Sequence, residues 1–403
     1  MAVEPEPEEV CNRTIAVKGL GGKIPKAGTK EKPLELFVGN AGTAARFLAA
    51  LVCLGNGVYR VHGVPRMHER PQGALFSALR ELGYEIESAN DKLPALVYGT
   101  GPRRGKCSVS IEDSSQFASA LILSSIKGGW SVKVTGENAE ESPYVKMTDK
   151  LLVMFPKGGG IFQIEPDASS GSYFWAASSL SADLHPSELI AQTRRLAATS
   201  EIGGVFPSPI FHVRHWPNLD LQVDSQFPNY IGGAIVLFKE SRPNDPSKLS
   251  QEQLQPSSSI SRKNDLGDSI MTAVVLAPFW KEPTRFIDLR RLRLQECERV
   301  MALRTELTKC GAKVVESGDM LEVFPSELHG AEIETYNDHR MAMCFAILGL
   351  KVPGIKIKNP ACVKKTFPNF FQKLAATPPH GIGAEIRDAK TGRRLAVEEL
   401  FAE

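Results

Sequence analysis

The chain has 403 residues, of which 42% are hydrophobic and 23% are charged, and its formal net charge at pH 7 is +2. This length accommodates two domains with buried cores, and the nearly balanced charge disfavours a nucleic-acid-binding function. No apolar run reaches the ~18 residues of a membrane-spanning helix. The seven cysteines are dispersed without the spacing of a zinc site, which indicates reduced and mostly buried thiols.

One pattern is repeated along the chain: an apolar helix, a short strand, a loop with a basic residue, and a second helix that ends near a glycine. Three clear copies and one weaker copy predict these elements in chain order: strand 34–38, helix 47–51, strand 58–61, loop 66–71, helix 74–83, helix 114–121, strand 131–134, loop 141–144, helix 271–279, strand 285–288, a helix ending at 311, helix 341–350, strand 355–358 and helix 368–375. Thr43 and Arg70 are 27 positions apart, as are Thr272 and Arg299 (70 − 43 and 299 − 272). Such repeats are supersecondary units that stack to share a core, so we predict an α/β architecture with internal pseudo-symmetry.

The domain organisation is predicted from changes in composition. A first domain is expected at 1–217 and a second at 218–380. Residues 241–263 are rich in Ser, Pro, Gln and Asn and lack an apolar period, which predicts an exposed loop inside the second domain. Residues 381–403 combine glycines with many charges and are predicted to form a tail, to which the sequence assigns no role.

The first candidate site is the segment GNAGTAAR at 39–46, which joins a predicted strand to a helix. It places small residues and free backbone N–H groups at a helix N-terminus, where anions bind. The alternative is an ordinary strand-to-helix turn. Arg66 and Arg70 flank a loop bounded by prolines, and a guanidinium group suits a carboxylate or phosphate. Surface ion pairs are the alternative for either arginine.

Further candidate residues occur in the second half of the chain, again at predicted helix starts. Asp338 could cap a helix from which Arg340 faces a ligand, although it could also be a cap alone. Asp268 precedes an apolar helix, and Glu296 lies close to Arg299. Carboxylates beside basic residues can act as acid and base when burial and neighbouring charges adjust their pKa values. A structural salt bridge is the alternative for each.

Several motifs together resemble the family of 5-enolpyruvylshikimate-3-phosphate synthases, also called 3-phosphoshikimate 1-carboxyvinyltransferases. They occur in the family's order from about residue 34 to residue 375: GNAGTAAR at 39–46, PRMHERP at 65–71, DSSQF at 113–117, PYVKMT at 143–148, EPDAS at 165–169, DHRMAM at 338–343 and KTFP at 365–368. The resemblance implies a two-domain inside-out α/β barrel built from βαβαββ repeats. It also implies transfer of the enolpyruvyl group from phosphoenolpyruvate to the 5-hydroxyl of shikimate 3-phosphate, in chorismate and aromatic amino acid biosynthesis.

The same resemblance implies roles for individual residues. Shikimate 3-phosphate should contact Arg46, Ser114, Ser115, Gln116, Tyr144 and Asp268. Phosphoenolpyruvate should contact Gly42, Arg70, Gln116, Arg299, Arg340 and Lys365. Asp268 is the candidate base at the hydroxyl, and Glu296 the candidate for proton transfer at the methylene. The family's reaction implies no metal and no organic cofactor, and the expected protein is a cytoplasmic monomer, with a plastid as the alternative location.

The sequence departs from the family at three places. The family's N-terminal segment with a catalytic lysine has no counterpart before residue 34, so the first domain is expected to be N-terminally incomplete. The family usually has lysine where Gln295 stands and serine where Glu141 stands, although Ser142 could replace that serine. Two alternatives follow: a weakly active or inactive homologue, and a UDP-N-acetylglucosamine enolpyruvyl transferase. The second is disfavoured because 64–71 lacks the cysteine common in that family.

Overall fold

A computed structural model describes residues 2–6, 9–19, 21–136, 142–181, 213, 215–217, 221–230 and 259–402. The chain divides into two compact units, residues 1–163 and residues 164–403, and each has its own hydrophobic core.

The first unit combines small sheets with five helices. Its strands are β1 (Ala2–Glu6), β2 (Glu9–Ala16), β3 (Leu34–Phe37), β4 (Asn56–His62), β5 (Glu85–Glu87), β6 (Ala95–Thr100), β7 (Gly105–Ser110) and β8 (Trp130–Thr135). Its helices are α1 (Gly42–Val52), α2 (Pro65–Glu69), α3 (Gly73–Glu81), α4 (Ser115–Gly128) and α5 (Ser142–Met154). One sheet has the strand order β3-β4-β6-β5, with β3 parallel to β4, while β7 and β8 form a parallel pair and β1 and β2 a hairpin.

Helices α1 and α4 both contribute residues to the core of the first unit, and both start where site residues were predicted. The small residues Ala45, Ala49 and Ala50 on α1 are buried, which lets neighbouring elements approach closely. Ser114 caps α4 by accepting a hydrogen bond from a backbone N–H. The helix ends at Gly129, whose left-handed conformation suits glycine. Both ends of α4 are therefore fixed by local sequence.

The following elements belong to the described part of the second unit. Its strands are β9 (Ser259–Ser261), β10 (Thr284–Ile287), β11 (Val314–Ser317), β12 (Met320–Val323), β13 (Glu332–Ile333) and β14 (Lys356–Ile357). Its α-helices are α6 (Ala168–Ser181), α7 (Ile270–Leu276), α8 (Arg299–Lys309), α9 (His339–Gly349) and α10 (Phe370–Ala375). The main sheet has the order β11-β12-β10-β9, with β9 parallel to β10. All seven residues of α7 are buried, as its nearly continuous apolar sequence requires.

Most predicted elements are confirmed to within a few residues: the predicted helix at 341–350 corresponds to α9, and the predicted strand at 285–288 to β10. Two predicted loops are wrong. The loop 66–71 contains helix α2, because Pro65 occupies its first position, where proline's fixed φ angle favours a helix. In the loop 141–144, helix α5 already begins at Ser142.

The division into units also differs from the predicted organisation. It falls at 163/164 and not at 217/218, because Tyr173 and Trp175 of α6 pack in the core of the second unit. Residues 241–258 of the predicted exposed loop lie outside the described residues, but 259–263 include β9 and are largely buried. The predicted tail packs on the second unit, with Leu400 and Ala402 in its core.

Candidate functional site

The start of α1 brings two arginines against a glycine. Arg46 and Arg70 are only 3% and 7% exposed. A Cβ atom at Gly42 would lie 2.8 Å from Nη1 of Arg46 and 2.8 Å from Nη2 of Arg70. Ala41, which precedes the helix, provides no side-chain cap for the first-turn N–H groups. The absence of a side chain at Gly42 therefore lets two cations gather at a helix N-terminus, an arrangement that suits an anion.

Arg46 is held by residues from α1 and α4. Its Nη1 donates to Oε1 of Gln116 at 2.6 Å, and the Gln116 amide in turn donates to Oγ1 of Thr43 at 2.9 Å. The guanidinium carbon lies 5.2 Å from the ring centroid of Phe117, within the range of a cation–π interaction. The starts of the two helices are thus joined through one buried cation.

The other predicted residues of the first unit lie around these contacts. Arg70 donates to the backbone oxygen of Asn40 at 3.1 Å. Ser114 and Ser115 are buried at the start of α4, and Tyr144 lies in the first turn of α5. Arg66 instead forms a partly exposed ion pair with Glu69. This is the alternative that the sequence analysis gave for Arg66. Glu141 and the side chain of Ser142 lie outside the described residues.

Arg299 is the centre of the site in the second unit. Its side chain is 1% exposed, and its Nε donates to Oδ2 of Asp338 at 2.7 Å. Its Nη2 donates to Oε2 of Glu296 at 2.7 Å, and its Nη1 donates to the side-chain oxygen of Gln295. Lys365 forms an ion pair with the other oxygen of Glu296. The candidate acid Glu296 is therefore held by two cations.

Asp268 is surrounded by nitrogen donors. Its oxygens lie 2.8 Å from Nη2 of Arg262, 3.4 Å from Nε of Arg340 and 3.5 Å from Nη1 of Arg299. The side-chain nitrogen of Gln295 lies 3.3 and 3.2 Å from the two oxygens. Burial would raise the pKa of Asp268, but the three arginines outweigh burial and hold that pKa well below its usual value.

The start of α9 completes this network. Asp338 is fully buried and caps the helix by accepting from the backbone N–H of Arg340 at 2.9 Å. Burial would raise the pKa of Asp338, but Arg299 lowers it below its usual value. Nη1 of Arg340 lies 3.5 Å from the hydroxyl of Tyr173. All the predicted residues of the second unit, Asp268, Glu296, Arg299, Arg340 and Lys365, thus belong to one connected network.

Sequence reasoning missed two buried charged residues next to Asp268. The sequence placed Arg262 at the end of a predicted exposed loop. The apolar residue Ile260, two positions earlier and buried in the structure, was the only feature that could have indicated the burial of Arg262. Asp224 accepts a hydrogen bond from the backbone N–H of Ser269 at 2.6 Å. Burial, and then the charge of Asp268, raises the pKa of Asp224 to about 6. No feature of its local sequence indicated this position.

In the described part of the chain, no group of three or more His, Cys, Asp and Glu side chains is arranged to hold a metal ion. None of the helices in the same part is long and apolar enough to cross a membrane.

The fold is that of the enolpyruvyl transferases, as predicted. The structure resembles the crystal structure of EPSP synthase from Acinetobacter baumannii with a TM-score of 0.50 and 18% sequence identity, covering 85% of this chain and 78% of that chain. A sequence model of the family EPSP synthase (3-phosphoshikimate 1-carboxyvinyltransferase) matches residues 2–159 and 245–374. The chain belongs to this family. The match begins at residue 2, upstream of residue 34, from which the resemblance to the family was predicted to begin.

Curated relatives carry the same name. A 3-phosphoshikimate 1-carboxyvinyltransferase from Trichormus variabilis is 36% identical over 382 residues, which cover 89% of this chain and 82% of the relative. A protein of the same name from Vibrio atlanticus is 34% identical over 395 residues, covering 90% of this chain and 83% of the relative. These similarities confirm the family resemblance that the sequence motifs indicated.

Proposed function

We propose that this chain transfers the enolpyruvyl group of phosphoenolpyruvate to the 5-hydroxyl of shikimate 3-phosphate, giving 5-enolpyruvylshikimate 3-phosphate and phosphate. This reaction leads to chorismate and the aromatic amino acids. Membership of the family supports the reaction. The observation that carries the proposal is the network around Arg299, in which two candidate catalytic carboxylates, Asp268 and Glu296, share this buried cation.

Shikimate 3-phosphate is proposed to bind six residues, most of them in the first unit. Arg46 and the buried start of α4 offer a cation and hydroxyl groups, which suit a phosphate and the ring hydroxyls. Asp268 would accept the proton of the 5-hydroxyl. The full set is Arg46, Ser114, Ser115, Gln116, Tyr144 and Asp268.

Phosphoenolpyruvate is proposed to bind mainly through cations, because it carries a carboxylate and a phosphate. Its proposed contacts are Gly42, Arg70, Gln116, Arg299, Arg340 and Lys365. Arg299 and Arg340 are buried enough to interact with an anion at low local dielectric. Such preorganised cations stabilise charge that develops during the reaction.

The proposed reaction has two steps. In the first step, Asp268 takes the proton from the 5-hydroxyl group as the oxygen of that hydroxyl bonds to C2 of phosphoenolpyruvate. Glu296 delivers a proton to C3, which becomes a methyl group. In the second step, phosphate leaves C2 and takes up the proton held by Asp268, while Glu296 takes a proton back from the methyl group, which restores the double bond. The arginines and Lys365 hold the departing phosphate. The protein's own side chains supply all the proton transfers.

The test is phosphate release with both substrates, compared with reactions that lack either one. Asp268→Asn and Glu296→Gln should each lower kcat by about 10²- to 10⁴-fold, the range of general acid–base catalysis. Glu322→Gln is the matched control, because Glu322 pairs with Arg285 on the sheet and has no proposed role. Absence of turnover by the wild type would refute the proposed activity and favour an inactive homologue, and turnover with UDP-N-acetylglucosamine would favour the sister family.

We also propose a cytoplasmic monomer. Cys53, Cys107, Cys310, Cys344 and Cys362 are buried free thiols and Cys297 is a half-buried one, which suits a reducing compartment. Light scattering should give a mass near 44.0 kDa, and a mass twice as large would refute the monomer. Cell fractionation would distinguish the cytoplasm from a plastid.

A further inference from the structure

Arg262 is a buried cation outside every motif that carries the family resemblance. Its side chain is 4% exposed, and its Nη2 lies 2.8 Å from Oδ1 of Asp268. This distance is shorter than those from Gln295, Arg340 and Arg299 to the same carboxylate. A buried arginine requires a compensating charge, and Asp268 provides one. Each of these two buried side chains therefore compensates the charge of the other.

The other donors to Asp268 differ from Arg262 in their proposed roles. Arg299 and Arg340 lie 3.5 and 3.4 Å from the carboxylate and are both proposed to hold phosphoenolpyruvate. Once that anion binds, their charge is shared with it. Gln295 donates hydrogen bonds but carries no charge. Arg262 is consequently the cation that remains with Asp268 when the substrate is bound.

The local structure fixes Arg262 in place. It begins a π-helical turn, residues Arg262–Leu266, directly after β9. The Ser261 side chain caps this turn by accepting from the backbone N–H of Asn264 at 3.0 Å, and it donates to Asp288 at 2.5 Å. Gly267 ends the turn with a positive φ of 44°, one residue before Asp268. The separation of the two charged side chains is thus set by a short, well-bonded segment.

We propose that Arg262 is a positioning residue, which orients the Asp268 carboxylate toward the hydroxyl of shikimate 3-phosphate and keeps it ionised until it takes the hydroxyl proton. This inference rests on the proposed function. The charged groups that face Asp268 are Arg262, Arg299, Arg340 and, with the opposite effect, Asp224. Burial raises the pKa of Asp268, and removing one of the three cations that oppose burial is expected to raise it further.

The kinetic test compares Arg262→Gln and Arg262→Lys with Arg285→Gln. Arg285 lies on β10, where it pairs with Glu322 of β12, and its side chain is 53% exposed. It therefore controls for the same chemical change away from the site. We expect Arg262→Gln to lower kcat by about 10- to 100-fold, with the KM for phosphoenolpyruvate changed far less. The pH at which kcat falls on the acid side should rise by ~1 to 3 units. Arg262→Lys should restore the wild-type pH limit and part of kcat.

A second experiment tests the pairing of Arg262 with Asp268 through the stability of the protein and does not require turnover. The depressed pKa of Asp268 stabilises the fold above the unfolded-state pKa of about 3.9, and this stabilisation is lost as the pH falls below that value. The difference in Tm between the wild type and Arg262→Gln should therefore shrink as the pH falls from 6 toward about 3. A purely packing role would give a difference that does not depend on pH.

The outcomes separate the two proposals. If the wild type has no activity, the proposed function fails, while the Tm series still tests the pairing of Arg262 with Asp268. If Arg262→Gln does not fold, the kinetics of Arg262→Lys decide, because that variant keeps the charge. An unchanged acid limit in Arg262→Gln, or a pH-independent Tm difference, overturns the proposal.

Discussion

Asp224 should limit the stability of the second unit at neutral pH, so its replacement by asparagine is expected to stabilise the protein. The carboxyl group is 4% exposed and accepts a hydrogen bond from the backbone N–H of Ser269 at 2.6 Å. Burial, and then the charge of Asp268, raises the pKa of Asp224 from 3.8 to about 6. Asparagine keeps an acceptor oxygen for Ser269 but removes the buried negative charge.

The sign follows from proton binding. A carboxyl group with a raised pKa binds its proton more tightly in the folded state, so it lowers the stability as the pH rises. The effect is absent below the unfolded-state pKa of 3.8, grows between pH 4 and pH 6, and is complete above about pH 6. At 1.36 kcal/mol per pKa unit, a shift of about two units corresponds to ~3 kcal/mol.

The assay is the free energy of unfolding from urea titrations between pH 4 and pH 8, for the wild type and Asp224→Asn. The variant should gain up to ~3 kcal/mol over the wild type at pH 8 and very little at pH 4. Asp224→Ala is the control: it loses the acceptor for Ser269 and should be less stable than Asp224→Asn at both pH values, by about 1–3 kcal/mol. A gain of equal size at every pH would refute the reasoning.

Two further substitutions test the two sites. Arg299→Gln leaves the carboxylate of Asp338 buried without its guanidinium partner, so the free energy of unfolding in urea should fall by about 3–5 kcal/mol at pH 7; a loss under about 1 kcal/mol would contradict the central role of Arg299. Gly42→Ala places a methyl group 2.8 Å from nitrogens of Arg46 and Arg70, so steady-state kinetics should show a KM for phosphoenolpyruvate about 10-fold higher with little change in Tm. An unchanged KM would show that Gly42 does not shape that site.

The elements and the motif residues could be predicted because they depend on local sequence. Apolar periodicity placed α9, and the glycine loop before Arg46 predicted the helix start that the structure has. Asp268 and Glu296 were selected as candidates because carboxylates next to basic residues can act as acid and base. In the structure both carboxylates contact Arg299, and their catalytic roles stay predictions.

The partners that burial provides could not be predicted in this way. Arg262 lies at the end of a polar segment, and its burial depends on the pairing of β9 with β10, which is remote in sequence. Asp224 meets Ser269 from 45 positions away. A buried ion pair depends on which elements pack together, and neither composition nor periodicity records that information.

The network around Arg299 also determines which ions this unit can recognise. Its basic groups already face carboxylates of the same unit, so an incoming anion must share these cations with the internal carboxylates or displace them. A ligand with a single negative charge can replace only one carboxylate at these cations, whereas a ligand with two anionic groups can replace two. The resting ion pairs therefore favour a ligand with two anionic groups over an ion with a single negative charge.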